Sequence, residues 1–151
     1  ARQVPIGGDT MWSNQYQSYD RLSEGMKSLL DGVRAEFTGA RLASIAGSND
    51  IPSTFHPIIR THPETRRKSL YISKPVDSVP RLGGLTDAES LPLLNYLYNH
   101  STQPDNVYRH HWQKGDVIMW DNRCTMHYAV HDYGEETRDI HRISIQGSVP
   151  I

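Results

Sequence analysis

The chain has 151 residues, 36% of them hydrophobic, which is enough for one domain with its own core. Its 16 basic and 17 acidic residues give a formal net charge of -1, which excludes a global field that would gather nucleic acid or an anionic membrane; a local basic cluster can still hold a small anion. The single cysteine, Cys124, excludes an internal disulfide framework, no apolar run reaches membrane-spanning length and no signal peptide opens the chain, so the expectation is a soluble, cytoplasmic protein.

Taken in order, Val4-Pro5 and Gly7-Gly8 form a turn that leads into a strand beginning over residues 9–12. With neither an initiator Met nor a polar lead-in, the chain is expected to be the later portion of a longer protein. Residues 13–22 predict a short helix carrying Tyr16, Tyr19 and Leu22. Ser23 is the N-cap of a second helix over 24–33, with Met26, Leu29, Leu30 and Val33 on one face and Gly32 weakening the last turn. The small, polar, glycine-containing stretch 38–53 reads as a loop, a lid or a place where residues are missing.

Short strands are expected over 55–61 and 69–73, joined by a turn, and 74–84 is expected to be irregular because it holds two Pro and two Gly. The clearest helix is 86–100: Thr86 and Glu89 form a capping box, and Leu91, Leu94 and Tyr98 with Leu93 and Leu97 give the apolar stripe. Residues 107–113 alternate as a strand with one aromatic face, Tyr108, His110 and Trp112. A further strand is expected over 117–120, then the polar knot Asp121-Asn122-Arg123, then His127, a loop through Tyr133-Gly134, and a last strand bearing Arg138 and Arg142. In that strand His141 alternates with Ile143 and Ile145 and is expected to face packing. A strand-rich second half with short glycine turns predicts a barrel or jelly roll rather than a doubly wound sheet.

Among the eight histidines, His127 follows a buried-looking strand, a place where a rigid element can present a ligand to a cavity, but an ordinary core or surface histidine fits the residues alone better. A two-histidine, one-carboxylate iron site needs a His-x-Asp or His-x-Glu pair, and the chain has one, His62-Pro63-Glu64. Pro63 and the turn-like residues after it make a structural turn the better reading. Arg138 and Arg142 are four apart, so a strand would place both on one face, where paired guanidiniums call for anions. Surface arginines balancing Glu135, Glu136 and Asp139 fit the same spacing.

Four motifs, G-G-D-T-M-W at 7–12, H-P-I-I-R-T-H-P-E-T at 56–65, G-D-V-I-M-W-D-N-R-C-T-M-H-Y-A at 115–129 and R-D-I-H-R-I-S-I-Q-G at 138–147, resemble the TauD/TfdA (taurine/2,4-D dioxygenase) family. The resemblance implies an iron(II)- and 2-oxoglutarate-dependent dioxygenase, mostly β with short helices, built on a double-stranded β-helix (a cupin-like jelly roll). Residues 1–151 would be the C-terminal portion of that single domain, incomplete at the N-terminus, with a flexible or missing segment near 38–54. By position, His127 matches the distal iron ligand, Arg138 the arginine on the far carboxylate of 2-oxoglutarate, Thr10 the threonine that hydrogen-bonds the same carboxylate, and Arg142 the arginine that meets the substrate's anionic group. The family's His-x-Asp pair would precede the 7–12 motif, so the chain alone is not expected to hold iron. Cofactors implied are Fe(II), 2-oxoglutarate as cosubstrate, and O2. The implied partner is a small organic anion, with taurine or an alkylsulfonate first and an aryloxyalkanoate or alkyl sulfate next; neither nucleic acid nor membrane is implied, and a homo-oligomer is left open. Two rivals stand beside this reading: a non-catalytic jelly-roll module that binds a small anion through Arg138 and Arg142, and a zinc hydrolase, which needs three protein ligands.

Overall fold

A computed structural model of the chain describes residues 1–39, 47, 49, 53–74 and 81–147. Most of the stretch expected to be a loop or lid, and part of the irregular 74–84, lie outside the described residues.

The 9–12 motif becomes β1 (Thr10–Asn14), and Asn14 caps the next element by accepting the Gln17 amide, giving α1 (Gln15–Asp20). The helix therefore starts two residues later than 13–22 implied. Its buried residues are Gln15 and Ser18 rather than apolar ones, because they join a polar cluster: Gln15 Nε2 donates to Ser13 Oγ, while Asn106 Nδ2 donates to Ser13 Oγ, Ser18 Oγ and the Ser101 carbonyl. Ser23 caps α2 (Glu24–Leu30) by accepting from the Met26 amide. The helix stops at Leu30, short of the expected Val33, and Gly32 turns the chain with φ +74°. Leu30 is fully buried, but Leu29 is 60% exposed and does not belong to the packed face.

The chain then forms β2 (Arg34–Thr38), an element the sequence reading did not predict, paired antiparallel with β3 (Ser53–Pro57). Residues 55–61 do not make one strand: Ile58 breaks the run, and β4 (Ile59–Thr61) pairs instead with β5 (Lys68–Leu70). Fully buried Ile58 still ties the two pairs together, donating its amide to Val33 and accepting from the Tyr71 amide. The clearest predicted helix is α3 (Asp87–Ser101); the Glu89 carboxylate accepts from both the amide and the hydroxyl of Thr86, its N-cap. A short 3-10 turn (Pro104–Asn106) follows, then β6 (Val107–His110) and β7 (Thr125–Ala129). The central sheet has the order β6-β1-β7, all antiparallel.

Leu22, Leu30, Ala35, Ile58, Leu70, Ile72, Leu82, Leu94 and Leu97 make one apolar core between the helices and the two small sheets. On α3 the buried line is Leu94 and Leu97, while Leu91, expected in the stripe, is 40% exposed. Leu97→Ala removes a side chain with no exposure at all and should cost about 2–5 kcal/mol in urea unfolding, whereas Leu91→Ala should cost well under 1 kcal/mol.

Two expected strands do not form. Residues 117–120 and 138–147 run outside the named strands, apart from one antiparallel bridge between Gln3 and Asp139. Their apolar residues alternate as a strand would, yet Val117, Met119, Ile143 and Ile145 are each about nine-tenths exposed among the described residues (93, 90, 93 and 89%). His141 consequently does not face packing: it meets Asp139 and Arg2 at the surface.

Candidate functional site

Because β1 is the middle strand, its pleat decides what meets across the sheet. Thr10 lies opposite His110 on β6 and Ala129 on β7; Trp12 lies opposite Tyr108 and His127. Residues directly opposite share a face, so Thr10, Trp12, His110 and His127 all project to one side.

The approach to that face is set by two glycines. Gly7 and Gly8 have φ +87° and +66°, and a Cβ on Gly8 would come within 2.9 Å of Arg138 Cδ. The missing side chain lets Arg138 cross the turn, where its Nε donates to the Gly8 carbonyl at 2.7 Å and its Nη2 to Thr10 Oγ1 at 3.2 Å. Asp132 secures the same turn from the other side, accepting the Gly8 amide at 2.7 Å and pairing with Arg109 at 3.3 Å. Arg109 in turn lies 2.6 Å from Asp9, which is 2% exposed. The rest of the Arg138 fork has no partner among the described residues, so it offers N–H groups to an anion beside the Thr10 hydroxyl.

A second cationic group arrives next to the first. Arg142 donates from Nη1 to His127 Nε2 at 3.3 Å and lies 5.5 Å from the centre of the Trp120 ring. Trp120 also packs 5.3 Å from the His127 ring and edge-on to Trp12 at 5.2 Å. An arginine can only donate, so the Nε2 it faces carries a lone pair rather than a hydrogen. The His127 pKa is lowered, first by desolvation of the ring and then by the Arg142 charge; the residue is solvent-exposed, and the direction of the shift favours the neutral ring that can ligate a metal. The one cluster of three or more potential metal ligands among the described residues, His62 with Asp121 and Cys124, lies elsewhere. His127 fits the part of a single ligand, and the described residues do not complete a set around it.

That other cluster reads as architecture. His62 Nδ1 accepts the amides of Glu64 and Thr65, which leaves the hydrogen on Nε2, 3.1 Å from Asp121. A ring nitrogen that is protonated by this arrangement is not a metal ligand. Arg123 grips Asp121 through Nε and Nη2 and Glu64 through both Nη groups, and it holds the Asp121 carboxyl far below its ordinary pKa. The Asp121 carbonyl then accepts the Thr125 hydroxyl at 2.6 Å, fixing the first residue of the strand that carries His127. Glu64, the carboxylate of the only His-x-Glu pair, is therefore occupied by Arg123 and stands in a turn.

The four residues singled out from the sequence, Thr10, His127, Arg138 and Arg142, thus come to one face, the two arginines from a segment that is not a strand. The aromatic floor joins Trp112, which the alternation over 107–113 already placed on an aromatic face, with Trp12 and Trp120, which the sequence reading did not single out. The signal was present for Trp12, two residues after Thr10 in a strand and so on its face; for Trp120 only the tertiary path of an irregular segment could reveal it.

A family model described as taurine catabolism dioxygenase TauD, TfdA family matches residues 1–144. The chain is 36% identical over 159 residues to an alkylsulfatase of Acinetobacter baylyi, the match covering 95% of this chain and 49% of that protein. It is 40% identical over 131 residues to the alpha-ketoglutarate-dependent 2,4-dichlorophenoxyacetate dioxygenase of Burkholderia sp. (strain RASC), covering 82% and 43%. The crystal structure of AAD-2 in complex with Mn(II) and N-oxalylglycine has a similar fold, with a TM-score of 0.74 and 32% identity over 84% of this chain and 52% of that one. The chain spans about half the length of the curated relatives it matches. The fold class follows from the same likeness: antiparallel strands with short helices, forming part of a jelly roll.

Proposed function

Because the chain belongs to the taurine catabolism dioxygenase TauD, TfdA family, we propose that its protein is an Fe(II)- and 2-oxoglutarate-dependent dioxygenase that hydroxylates a small organic anion. The observation that carries the reading is the Arg138 fork beside the Thr10 hydroxyl, 3.2 Å apart on the face that also presents His127. A guanidinium and a hydroxyl side by side suit one carboxylate, as at the far end of 2-oxoglutarate. The Mn(II) and N-oxalylglycine of the AAD-2 complex support a metal and a 2-oxo dicarboxylate as ligands of this fold, since N-oxalylglycine is a dicarboxylate with a 2-oxo acid head.

Iron(II), when bound, supplies the redox chemistry by which O2, 2-oxoglutarate and a substrate C–H bond give succinate, CO2 and a hydroxylated product. His127 would be one of its ligands, neutral and with Nε2 unprotonated. Arg138 and Thr10 would orient 2-oxoglutarate from its far end, so that its 2-oxo acid end points along the sheet toward His127. Arg142, beside His127, would hold the anionic group of the substrate, and Trp12 and Trp120 would keep water from that end of the face. Among substrates we favour a taurine-like alkylsulfonate, with alkyl sulfate esters and aryloxyalkanoates as the competing classes. The relatives named for alkyl sulfates and 2,4-dichlorophenoxyacetate act on compounds that share an anionic head and an oxidisable carbon.

The test is succinate release by the protein expressed from its complete reading frame, with Fe(II), 2-oxoglutarate and, in separate reactions, taurine, an alkyl sulfate and a phenoxyacetate. Arg142→Ala should raise the preferred anion's KM roughly ten- to hundredfold, the range of one charge-assisted hydrogen bond, and move the 2-oxoglutarate KM by less than about threefold. Equal rises in both constants would contradict the separate assignment of Arg138 and Arg142.

A further inference from the structure

A threonine hydroxyl has one hydrogen to donate and two lone pairs to accept with. At Thr10 both lone pairs are engaged: Trp112 Nε1 donates to Oγ1 at 2.9 Å and Arg138 Nη2 at 3.2 Å. Neither an indole N–H nor a guanidinium can accept, so neither can take the hydroxyl hydrogen. Among the described residues no acceptor takes it either. Thr10 is 5% exposed, which leaves little room for water to compete. The hydroxyl is thereby committed as a donor, along the tetrahedral direction that the two incoming N–H groups leave open.

The indole that imposes this is itself held. Trp112 stands edge-on to the His110 ring at 5.0 Å and 89°, and packs against Trp12 at 6.5 Å. His110 Nε2 lies 3.0 Å from Asp116, whose carboxylate also accepts the Gln113 amide at 2.9 Å and so closes the turn that follows Trp112. The contrast within the same floor is informative, because the buried Nε1 of Trp12 has no partner while that of Trp112 is spent on Thr10.

We infer that Trp112 is a positioning residue for the cosubstrate: its N–H occupies one lone pair of Thr10 and so aims the Thr10 hydroxyl hydrogen at the carboxylate that Arg138 holds. This rests on the 2-oxoglutarate reading of Arg138 and Thr10. Without the indole N–H, Thr10 has a free lone pair, its hydroxyl can rotate, and in some orientations it presents oxygen to oxygen at the anion.

The test uses the protein from its complete reading frame. Trp112→Phe keeps an aromatic ring on the side of His110 and Trp12 and removes the N–H together with the five-membered part of the indole. It should raise the 2-oxoglutarate KM roughly five- to tenfold, within the range of one ordinary hydrogen bond. The kcat at saturating 2-oxoglutarate and the KM of the substrate anion should change by less than about twofold. In a Thr10→Val background the same substitution should add almost nothing, since the hydroxyl it acts through is gone. A Trp112→Phe protein with an unchanged 2-oxoglutarate KM overturns the inference, as does an equal effect in the presence and absence of the Thr10 hydroxyl. If Arg138→Ala leaves the 2-oxoglutarate KM unchanged, the underlying reading fails and the role of Trp112 falls with it; a rise in Arg138→Ala without one in Trp112→Phe leaves that reading intact and removes only the inference.

Discussion

Replacing Arg138 with alanine is expected to raise the 2-oxoglutarate KM on the order of a hundredfold or more while leaving the fold intact. The size follows from what is removed. Arg138 is the side chain that presents a charged fork beside Thr10, and each charge-assisted hydrogen bond to a carboxylate is worth about 1.5–3 kcal/mol, so a forked pair reaches this range. The fold should tolerate the change because Arg138 is only half-buried and lies outside the apolar core, although the buried Gly8 carbonyl loses this donor. Arg138→Lys should recover little, since a single ammonium cannot reach the Gly8 carbonyl, Thr10 and a carboxylate as the fork does. Succinate formation titrated with 2-oxoglutarate decides it; an unchanged half-saturation would remove the cosubstrate from this site.

The second large effect is at His127. His127→Ala should lose iron(II)-dependent turnover and weaken iron(II) binding by about a hundredfold or more, since even residues that only orient a metal ligand typically matter ten- to hundredfold. Its measurement is an iron(II) titration followed by calorimetry, run beside Arg142→Ala. The two should separate. Arg142→Ala removes a donor from the His127 lone pair and a positive charge from beside the metal position, so it should bind iron(II) at least as tightly as the parent. Parallel losses of iron in both variants would show that His127 is held for packing under Trp120 and not for ligation. Unfolding curves for His127→Ala should shift little, because the residue is solvent-exposed.

What the sequence made legible was mostly local. Ser23 and Thr86 announce α2 and α3 through capping chemistry that needs only neighbours in the chain, and Gly7-Gly8 announces its turn because positive φ angles belong to glycine. The site residues were found by motif resemblance, and the structure then brings them to one face through a register that composition does not contain. Element ends and partners were less legible for a physical reason. A strand is half of a ladder, and alternation of apolar residues specifies which face is apolar without specifying what lies alongside. Val117 with Met119 and Ile143 with Ile145 carry that alternation but no paired strand among the described residues, while β2, with only Ala35 and Phe37 alternating, is a strand because β3 lies along it. Likewise a helical stripe gives the angle of a face and not its width: Leu94 and Leu97 meet the core while Leu91 and Leu29 lie beyond its edge. His62-Pro63-Glu64 shows the opposite case. Its sequence fits a metal pair, but Pro63 and the turn residues disfavour one, and the hydrogen bonds that put the proton on Nε2 exclude that nitrogen as a ligand.

The most direct test of the central claim is the stoichiometry of turnover. With the protein from its complete reading frame, Fe(II), O2 and 2-oxoglutarate, one molecule of succinate should form for each molecule of taurine, alkyl sulfate or phenoxyacetate oxidised, and none without iron. Binding of those anions through Arg138 and Arg142 with no iron- and 2-oxoglutarate-dependent succinate from any of the three classes would contradict it, and would leave a jelly-roll module that binds anions without transforming them.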